Sequence, residues 1–370
     1  MIRILHSVSN MDRGGIETML MNYYRHIDRS EFQFDFLCNK PKPGDYDSEI
    51  RAMGGNIYIS PGLSPAKYPE YMRFMEALLR ENSSIRVLHA HNEAMALYAL
   101  QGAKKAGLPA RIHHAHNTKI VRDYKYPLKI LCKQFLPYAA TDIWSCGTDA
   151  GVYYYGKSRW QKSGHLMRNA IDLDKFGFDS GVRGAMREEY GLNGSFVVGH
   201  VGRFNLQKNH ERILDIFAAL LKIRPDSCLV LIGEGELEGR MKQKAADLGI
   251  PDRVKFMGLR ADVDKWYQAF DVLLMPSLFE GLPVVGIEAQ ASGLPCVYSD
   301  AVTDEAAILK TSRMVSLSSS NEEWAKVVAA CENPADVRQE AKQIVKAAGY
   351  DITEETKKLQ NLYLQMSRRK

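Results

Sequence analysis

The stretch VLLMPSLFEGLPVVGIEAQAS, residues 272–292, passes from a short apolar run through a polar turn into a longer, mostly apolar segment. Val272–Met275 predicts a buried strand because the run is short and fully apolar. Pro283–Ser292 predicts a helix, since proline is tolerated in the first turn, where its missing N–H costs nothing. A strand joined to a helix by a short loop is the repeating unit of parallel sheets covered by helices. This stretch therefore predicts an α/β fold.

Strands and helices alternate in the same way along the whole chain, in two successive sets. The 370 residues also exceed the roughly 250–300 at which one core usually divides into domains. The predicted strands are Ile2–Val8, Phe32–Cys38, Asn56–Ser60, Ile85–His91, Arg111–His116 and Asp142–Cys146, then Phe196–Gly202, Ser227–Gly233, Val254–Gly258, Val272–Met275, Pro295–Ser299 and Met314–Leu317. The predicted helices include Glu17–His26, Tyr68–Glu81, His210–Ile223, Glu236–Leu248, Val263–Ala269, Pro283–Ser292, Glu322–Ala330 and Thr353–Met366.

These two sets predict two Rossmann-like domains, residues 1–168 and 169–350, and a closing helix in residues 351–370 that returns to the first domain. Asn169–Asp172 is interpreted as the crossing point, and the polar, Gly-rich stretch Asp179–Gly194 as what precedes the second set. Open parallel sheets bind ligands beyond the carboxyl ends of their strands. Two such sheets facing each other therefore predict a deep cleft with both sets of strand ends pointing into it.

Composition and charge exclude several classes of protein. A net charge of +5 over 370 residues is too small to indicate a dedicated nucleic-acid binder. The six cysteines form no CxxC pair and match no zinc-site spacing, so a reduced cytoplasmic protein is expected. No apolar run approaches the ~18 residues of a membrane span, and the N-terminal apolar run is too short for a signal peptide.

A basic stretch with interleaved apolar residues lies between residues 104 and 133. Two interpretations stay open for it. It could contact anionic lipid headgroups at the inner face of the membrane, or it could be a solvated helix face whose lysine stems cover apolar surface. Its basic residues are Lys104, Lys105, Arg111, Lys119, Arg122, Lys125, Lys129 and Lys133, against Asp123, and its apolar ones include Tyr124, Tyr126, Leu128, Ile130 and Leu131.

Paired glycines, Gly14 and Gly15, follow the first strand and precede a helix. Glycines at such a turn let backbone N–H groups approach a ligand at the positive end of the helix. A phosphate or a polar sugar suits that position, although a Gly-Gly turn is also a common structural feature. The sequence is not GxGxxG, so the fingerprint of nicotinamide cofactors is missing.

The fifth strand ends in HHAHN, residues 113–117. Alternation along a strand places His114 and His116 on one side, with His116 nearest the strand end. We interpret His113 as a buried histidine of the core. A His-x-His pair can bind metal, but no Asp or Glu lies close enough in sequence to complete a set, so no metal is expected.

The first strand of the second set is followed by GRFNLQKN, residues 202–209, in which Arg203 and Lys208 lie on a loop that leads into a helix. Two cations and a helix N-terminus form a good clamp for a diphosphate. The alternative is two solvated surface cations. Met257 lies near the end of the predicted strand Val254–Gly258, where its backbone could approach a base or a ribose.

The turn within residues 272–292 carries Glu280 just before the predicted helix and Glu288 within it. Glu288 lies on an otherwise apolar stretch, where a carboxylate is costly unless it is paired or hydrogen-bonded. A ribose diol would be an apt partner, and Glu280 is placed to touch a sugar hydroxyl. A structural salt bridge is the alternative for either glutamate.

These residues together closely resemble glycosyltransferase family 4, the retaining enzymes of the GT-B fold, and in particular its bacterial capsular and exopolysaccharide members. The resemblance covers essentially the whole chain. It is carried by GGIET at residues 14–18, by the Gly-Arg-x4-Lys-Asn element at 202–209 and by the E-x7-E element from Glu280 to Glu288. One departure is visible, because NAID at residues 169–172 lacks the family's usual hinge glycine.

The resemblance implies a hexosyl transfer from a nucleotide-sugar, expected to be a UDP-sugar, to a saccharide or lipid-linked saccharide, without a metal. The leaving diphosphate itself would take the acceptor proton. The resemblance implies a role for each candidate residue. In the first domain, Gly14 and Gly15 would line the diphosphate and acceptor side, and His116 would contact the transferred sugar, with His114 as the alternative.

In the second domain, Arg203 and Lys208 would neutralise the diphosphate, and the backbone near Met257 would meet the base. Glu280 and the amides of Gly281, Leu282 and Pro283 would hold the sugar, and Glu288 would bind the ribose.

Two other functions are compatible with the same build. A nucleotide-sugar epimerase would convert its substrate without any acceptor. A catalytically silent subunit would bind nucleotide-sugar and support a partner transferase, but it would be expected to lack Arg203, Lys208 or one of the two glutamates, and all four are present.

Overall fold

The computed structural model describes residues 1–120, 122–332 and 334–369, so Lys370 of the predicted closing segment lies outside the described residues. The chain divides into two compact units. The first comprises Met1–Ala170 and Ile352–Lys370, and the second comprises Ile171–Asp351. The crossing point predicted at Asn169–Asp172 contains the first of these boundaries.

The first unit is a seven-stranded parallel sheet in the order β3-β2-β1-β4-β5-β6-β7. Parallel strands are buried on both faces, and Phe32–Cys38 is buried throughout, including Asp35, whose carboxylate accepts two hydrogen bonds from Arg3 at 2.6 Å. The strands are β1 Ile2–Val8, β2 Phe32–Cys38, β3 Ile57–Ile59, β4 Ile85–Ala90, β5 Ala110–Ala115, β6 Asp142–Ser145 and β7 Gly164–Leu166. The helices are α1 Gly15–His26, α2 Asp47–Ala52, α3 Tyr68–Glu81, α4 Leu97–Lys105, α5 Tyr126–Ala139, α6 Thr148–Tyr155 and α7 Lys157–Ser163, with α16 Ile352–Ser367 from the end of the chain.

The second unit is a six-stranded parallel sheet in the order β10-β9-β8-β11-β12-β13. On one face of β8 and β9, alternate strand residues pack against apolar side chains of the helices His210–Leu221 and Asn321–Ala329. The strands are β8 Phe196–Val201, β9 Ser227–Ile232, β10 Val254–Phe256, β11 Val272–Met275, β12 Cys296–Ser299 and β13 Arg313–Val315. The helices are α8 Leu173–Phe176, α9 Ser180–Glu189, α10 His210–Leu221, α11 Glu238–Asp247, α12 Val263–Ala269, α13 Val284–Ala291, α14 Asn321–Ala329 and α15 Ala335–Ala347.

The predicted strands are all present, and the bounds of each differ from the observed ones by at most two residues at either end. Several observed elements were not predicted by name, among them Gly164–Leu166, Ser180–Glu189 and Ala335–Ala347. The short edge strand Gly164–Leu166 carries too little apolar pattern to be recognised. The helix Ser180–Glu189 lies within the stretch that was read only as a polar, Gly-rich segment; the side chain of Asp179 caps it by accepting from the amides of Gly181 and Val182. Ala335–Ala347 is a further helix that was not predicted.

The closing helix α16 (Ile352–Ser367) belongs to the first unit. Leu359, Tyr363 and Met366 are buried in the core of that unit. The hydroxyl of Tyr363 lies 2.7 Å from His89 Nδ1, and the Arg86 guanidinium donates to the Ser367 carbonyl at 3.1–3.2 Å. The helix is therefore fastened by apolar burial and by hydrogen bonds. Among the described residues, no helix combines the length and the apolar character needed to span a membrane.

Candidate functional site

The loops after β8 and β11 are bonded to each other, because these two strands are neighbours in the second sheet. Asn209 takes a left-handed conformation with φ 57°, and its side chain donates to the Pro276 carbonyl at 3.0 Å. The Leu278 amide donates to the Gln207 carbonyl at 2.9 Å, and the Gln207 side chain donates to the Phe279 carbonyl at 3.0 Å. Residues 205–209 and 276–280 thus form one braced surface at the strand ends.

Lys208 and Glu280 meet on this surface. Lys208 Nζ lies 2.5 Å from Glu280 Oε1. Both side chains are largely buried, with only 16% of the Lys208 side chain exposed. Its stem lies over Gly202, where an added Cβ would come within 3.2 Å of Lys208 Cδ and Cε. The sequence predicted separate roles for these two residues and missed their pairing, which joins positions 72 residues apart.

Arg203 differs from Lys208 in its surroundings. Its side chain is 71% exposed, and its guanidinium lies 3.7 Å from a Glu236 carboxylate that is itself exposed. An ion pair of this kind contributes at most about 1 kcal/mol. The two cations of the predicted clamp are thus one held side chain and one solvated side chain.

The turn that leads into α13 differs from the prediction in two respects. The helix begins at Val284, so Pro283 is the N-cap residue, with φ −72° and ψ 120°, and does not lie within the first turn. The proline nitrogen carries no hydrogen, so Pro283 cannot donate to a sugar as its predicted role requires. Its carbonyl accepts from the Gly286 amide at 3.0 Å. Gly281 and Leu282 directly precede this positive helix end.

Glu288 is buried on α13, and its carboxylate accepts a hydrogen bond from the Tyr267 hydroxyl, with 2.9 Å between Oε2 and the phenol oxygen. Burial raises the pKa of Glu288 to about 7, and the bond from Tyr267 offsets part of this shift. The expectation that this carboxylate needs a hydrogen-bonding partner is met by an aromatic hydroxyl on α12. Tyr267 was not among the predicted site residues, because it lies 21 residues before Glu288 in the chain.

The loop after β9 packs against the Gly202–Asn209 loop, and Met257, directly after β10, pairs with β9. Gly233 has φ 136°, and an added Cβ there would lie 2.2 Å from the Gly202 carbonyl oxygen. The Met257 amide donates to the Leu231 carbonyl at 2.9 Å, continuing the pairing of β9 with β10. A base at this edge would therefore meet the carbonyl or side chain of Met257 and not its N–H.

Gly14 and Gly15 differ in the space around their Cα atoms. Gly14 is the N-cap of α1, and an added Cβ there would lie 2.4 Å from Glu17 Oε2, which folds back over it. A Cβ atom added at Gly15 would have no heavy atom of the described residues within 4 Å. A side chain at Gly14 would displace the Glu17 carboxylate, whereas the open space at Gly15 leaves room for a ligand. Burial raises the pKa of Glu17 to about 7.

Five buried histidines gather at the carboxyl ends of β1, β4 and β5. His114 and His116 lie on one face of their strand, as predicted, with ring centroids 4.1 Å apart. His113 is a core histidine, also as predicted, since its ring nitrogens meet the Tyr155 hydroxyl at 2.8 Å and the Glu93 carbonyl at 3.0 Å. Burial lowers the pKa of His116 to about 3, so its ring is neutral. The five are His6, His89, His91, His114 and His116.

Sequence reasoning found only the His114–His116 pair of this cluster, because the other three come from strands distant in the chain. In the described residues, two sets of three have nitrogens within 4.8 Å of one another: His6, His89 and His91, and His91, His114 and His116. The shortest separations, 2.9 Å and 3.1 Å, are those of direct hydrogen bonds between imidazoles.

Glu93 is a further residue at these strand ends that the sequence did not reveal. It has φ 50°, which is uncommon for a residue with a side chain. The side chain of Asn117, directly after His116, donates to Glu93 Oε1 at 2.7 Å. Burial raises the pKa of Glu93 to about 7, although the hydrogen bond from Asn117 and the proximity of the Tyr154 hydroxyl and of backbone amides oppose the shift.

Two family models match the chain. Residues 13–149 match the model described as Glycosyltransferase Family 4, and residues 182–348 match the one described as Glycosyl transferases group 1. The first match includes Gly14, Gly15 and His116, and the second includes Arg203, Lys208 and the glutamates.

Similar proteins and structures agree with these matches. EpsF of Bacillus subtilis (strain 168), assigned as a glycosyltransferase, is 36% identical over 98% of this chain and 96% of its own. An Escherichia coli UDP-Gal:α-D-GlcNAc-diphosphoundecaprenol α-1,3-galactosyltransferase is 26% identical over 81% of this chain and 79% of its own. The structure of Anabaena HepE in complex with UDP has a TM-score of 0.81 at 16% identity and covers 99% of this chain and 100% of its own. The fold is that of the GT-B glycosyltransferases.

Proposed function

This chain belongs to glycosyltransferase family 4 and is a glycosyltransferase, and from that premise we propose that it moves a hexosyl group from a UDP-sugar to a saccharide hydroxyl with retention of anomeric configuration. The observation that carries the proposal is the Lys208–Glu280 pair at 2.5 Å, in the loops that follow β8 and β11, with Glu288 buried on the helix after β11. The pair lies where parallel sheets bind nucleotides.

Each part of the donor would bind the residues that suit its chemistry. Lys208 and Arg203 would face the diphosphate, whose charge grows as the sugar leaves. Glu280 would accept from sugar hydroxyls, and the second oxygen of Glu288 from the ribose diol, while Tyr267 holds the first. HepE has been crystallised with UDP and with UDP-glucose, which supports UDP as the nucleotide.

The proposed reaction takes place on one face of the sugar. The bond from the anomeric carbon to the donor phosphate oxygen breaks, and a bond from the same carbon to the acceptor oxygen forms. The acceptor proton passes to the departing phosphate oxygen, so no protein base is consumed. Pairing with Lys208 makes the Glu280 carboxylate a poor nucleophile, which favours this route over a glycosyl-enzyme intermediate. His116, neutral at ordinary pH, would hydrogen-bond the transferred sugar.

The acceptor is proposed to be a growing saccharide of capsular or exopolysaccharide type, free or linked to a lipid. The Escherichia coli relative is named for an acceptor carried on diphosphoundecaprenol. If the acceptor is lipid-linked, the enzyme must work beside a membrane, at its cytoplasmic face.

The helix α5 (Tyr126–Ala139) is the proposed membrane-contacting face. Leu131, Phe135 and Tyr138 are exposed along one side of it, and Tyr124 is exposed just before it. Several lysines of the basic stretch are engaged within the first unit: Lys129 pairs with Asp123 at 2.7 Å, and Lys133 lies 3.7 Å from the ring centre of Tyr153. Insertion of these apolar side chains would thus contribute more than charge attraction.

A vesicle-binding assay tests this face separately from catalysis. We expect the wild-type protein to sediment with anionic vesicles and the Leu131→Ser/Phe135→Ser double variant to bind them weakly. Transfer to a soluble acceptor should be equal for the two proteins. Equal vesicle binding by both proteins, or none by the wild type at low salt, would remove the membrane proposal.

A screen of UDP-, GDP- and ADP-sugars for thermal stabilisation tests the donor, followed by transfer to saccharide acceptors. We expect one UDP-sugar to raise the melting temperature most, and the product to keep the donor's anomeric configuration by NMR. Product of inverted configuration would refute retention. Conversion of the UDP-sugar without any acceptor would instead indicate the epimerase, and binding without turnover would indicate the silent subunit.

A further inference from the structure

Three of the buried histidines form a hydrogen-bonded row that ends at His116. His6 Nδ1 lies 3.1 Å from His91 Nε2, and His91 Nδ1 lies 2.9 Å from His116 Nε2. The row crosses from β1 through the end of β4 to the end of β5, so each member comes from a different strand. All three rings are buried.

A row of neutral imidazoles has only two possible proton arrangements. A neutral ring carries one N–H donor and one bare acceptor nitrogen, so each link needs a proton on one side alone. Once the proton of His6 is placed, those of His91 and His116 follow. Burial lowers the pKa of His6 to about 3 and that of His91 well below its ordinary value, so the rings stay neutral.

The buried end of the row decides between the two arrangements. His6 Nε2 is buried without a hydrogen-bond partner among the described residues, and its ring packs against Phe34 with centroids 4.3 Å apart. Unpaired buried N–H donors are rarer in proteins than under-satisfied acceptors. The favoured arrangement therefore leaves Nε2 of His6 bare and places its proton on Nδ1, where it bonds to His91.

From this geometry we propose that His6 and His91 are positioning residues that hold the His116 ring and fix its proton on Nδ1. His91 then carries its own proton on Nδ1 and donates to His116 Nε2. The nitrogen of His116 that is not bonded to His91 becomes an N–H donor, suited to a sugar hydroxyl oxygen. That last step rests on the proposed function of His116, whereas the proton arrangement itself does not.

A second row, Tyr363–His89–His114, lies beside the first and offers a matched control. Tyr363 OH is 2.7 Å from His89 Nδ1, and His89 Nε2 is 3.1 Å from His114 Nδ1. No hydrogen bond between the two rows is present among the described residues, although their rings stack. Tyr363→Phe thus removes a buried hydrogen bond to a histidine without entering the row that reaches His116.

Long-range 15N–1H correlation spectra of the 15N-histidine-labelled protein measure the proton positions directly, with His116→Gln to assign the signal. We expect His6, His91 and His116 all to carry their protons on Nδ1, in the absence of any substrate. Tyr363→Phe should leave the His116 pattern unchanged. A His116 proton on Nε2, or a mixture of both forms in the wild type, would overturn the proposal.

Two substitutions of His91 separate the hydrogen bonds from simple packing. A glutamine amide can accept from His6 and donate to His116, so His91→Gln should keep the His116 proton on Nδ1. His91→Leu, which can do neither, should lose this preference. If the two variants give the same His116 spectrum, the row does not control the proton.

Kinetics of the same variants then connect the row to catalysis. We expect His91→Leu to lower kcat/KM about tenfold, as for one hydrogen bond, and His91→Gln to stay within about twofold. If His116→Gln leaves transfer intact while the spectra are as expected, the role of His116 fails and the proton arrangement stands. Stoichiometric Zn²⁺ in the purified protein, lost in His91→Leu, would refute the row, because metal binding uses the lone pairs that the hydrogen bonds need.

Discussion

The two units present different chemistry at equivalent places. In the second unit, the ends of β8 and β11 carry Lys208 paired with Glu280. In the first unit, the ends of β1, β4 and β5 carry buried neutral imidazoles joined by hydrogen bonds. Both sheets are parallel and both have their first strand near the middle. The fold thus determines where a site lies, and the side chains determine what it can bind.

The difference matches two kinds of ligand group. In the largely buried pair, the Lys208 ammonium can bind a diphosphate in place of Glu280. The Glu280 carboxylate can then accept hydrogen bonds from sugar hydroxyls. Neutral imidazoles have no charge to exchange and can offer only directed hydrogen bonds. We therefore expect the largest effects from substitutions of the buried pair in the second unit, a smaller and salt-dependent effect at the exposed Arg203, and little dependence on salt in the first unit.

The largest effect is expected for the charged pair itself. Lys208→Ala and Glu280→Ala should each lower turnover by at least about 100-fold, as for loss of one preorganised electrostatic contact. Each also removes the Lys208–Glu280 ion pair from a largely buried site, which should lower the melting temperature. Steady-state kinetics and thermal unfolding of the two variants measure both quantities.

The double variant sharpens this prediction. Because the two residues form one pair, Lys208→Ala/Glu280→Ala should lose less activity than the product of the two single losses and should be more stable than either single variant. Strictly additive losses would show that the pair does not act as a unit. Near-normal transfer by both single variants would refute the site.

Glu288→Gln should separate binding from stability. The amide binds a ribose diol less well, so donor affinity should fall about tenfold, as for a hydrogen bond to a charged group. The pKa of Glu288 in the folded protein, about 7, is above its ordinary value. The folded state therefore binds this proton more tightly, and stability falls as the pH rises from about 4.5 to 7.

The glutamine of the Glu288→Gln variant does not titrate and stays neutral at every pH. The variant should therefore melt a few degrees above wild type at pH 8, where Glu288 is ionised, and at a similar temperature at pH 4.5. Glu17 and Glu93 also have raised pKa values, so only the difference between the two proteins reports on Glu288. A variant less stable than wild type at pH 8 would show that the ionised carboxylate is well accommodated.

Much of the fold was predictable because buried parallel strands are short segments rich in aromatic, β-branched and other apolar residues. Phe32–Cys38 and Val272–Met275 were predicted with their observed bounds. The strand Gly164–Leu166 was not, since it has three residues, a terminal glycine and an edge position. Helix Ser180–Glu189 is polar on most of its surface, with Met186 its buried residue, so periodicity gave little signal.

The candidate site was predictable residue by residue but not in its pairings. Glu280, Lys208 and His116 follow strands, and strand ends can be read from sequence. That Lys208 bonds to Glu280, or that His91 bonds to His116, depends on strand order and on register, which local patterns do not contain. The error at Pro283 was of another kind, since the absence of its amide hydrogen is a property of the residue itself.

Arg203→Ala should have a smaller effect than Lys208→Ala, although both cations were assigned to the diphosphate. Arg203 is solvated and loosely paired with Glu236, so donor binding must fix a mobile side chain before the contact contributes. We expect a loss of about threefold to tenfold in kcat/KM that shrinks as salt is added. A loss equal to that of Lys208→Ala, and independent of salt, would mean that the two cations act alike.

The smallest effects on stability are expected at the paired glycines of the first unit, and they distinguish the two positions. Gly15 lies at the start of α1 in open space, so Gly15→Ala should change the free energy of unfolding by less than about 0.5 kcal/mol. If ligand atoms approach this backbone, kcat/KM should nevertheless fall several-fold. Gly14→Ala must displace the Glu17 carboxylate and should lower stability measurably. If Gly15→Ala retains full activity, Gly15 is only a turn residue, and the ligand contacts of the first unit then lie elsewhere at its strand ends.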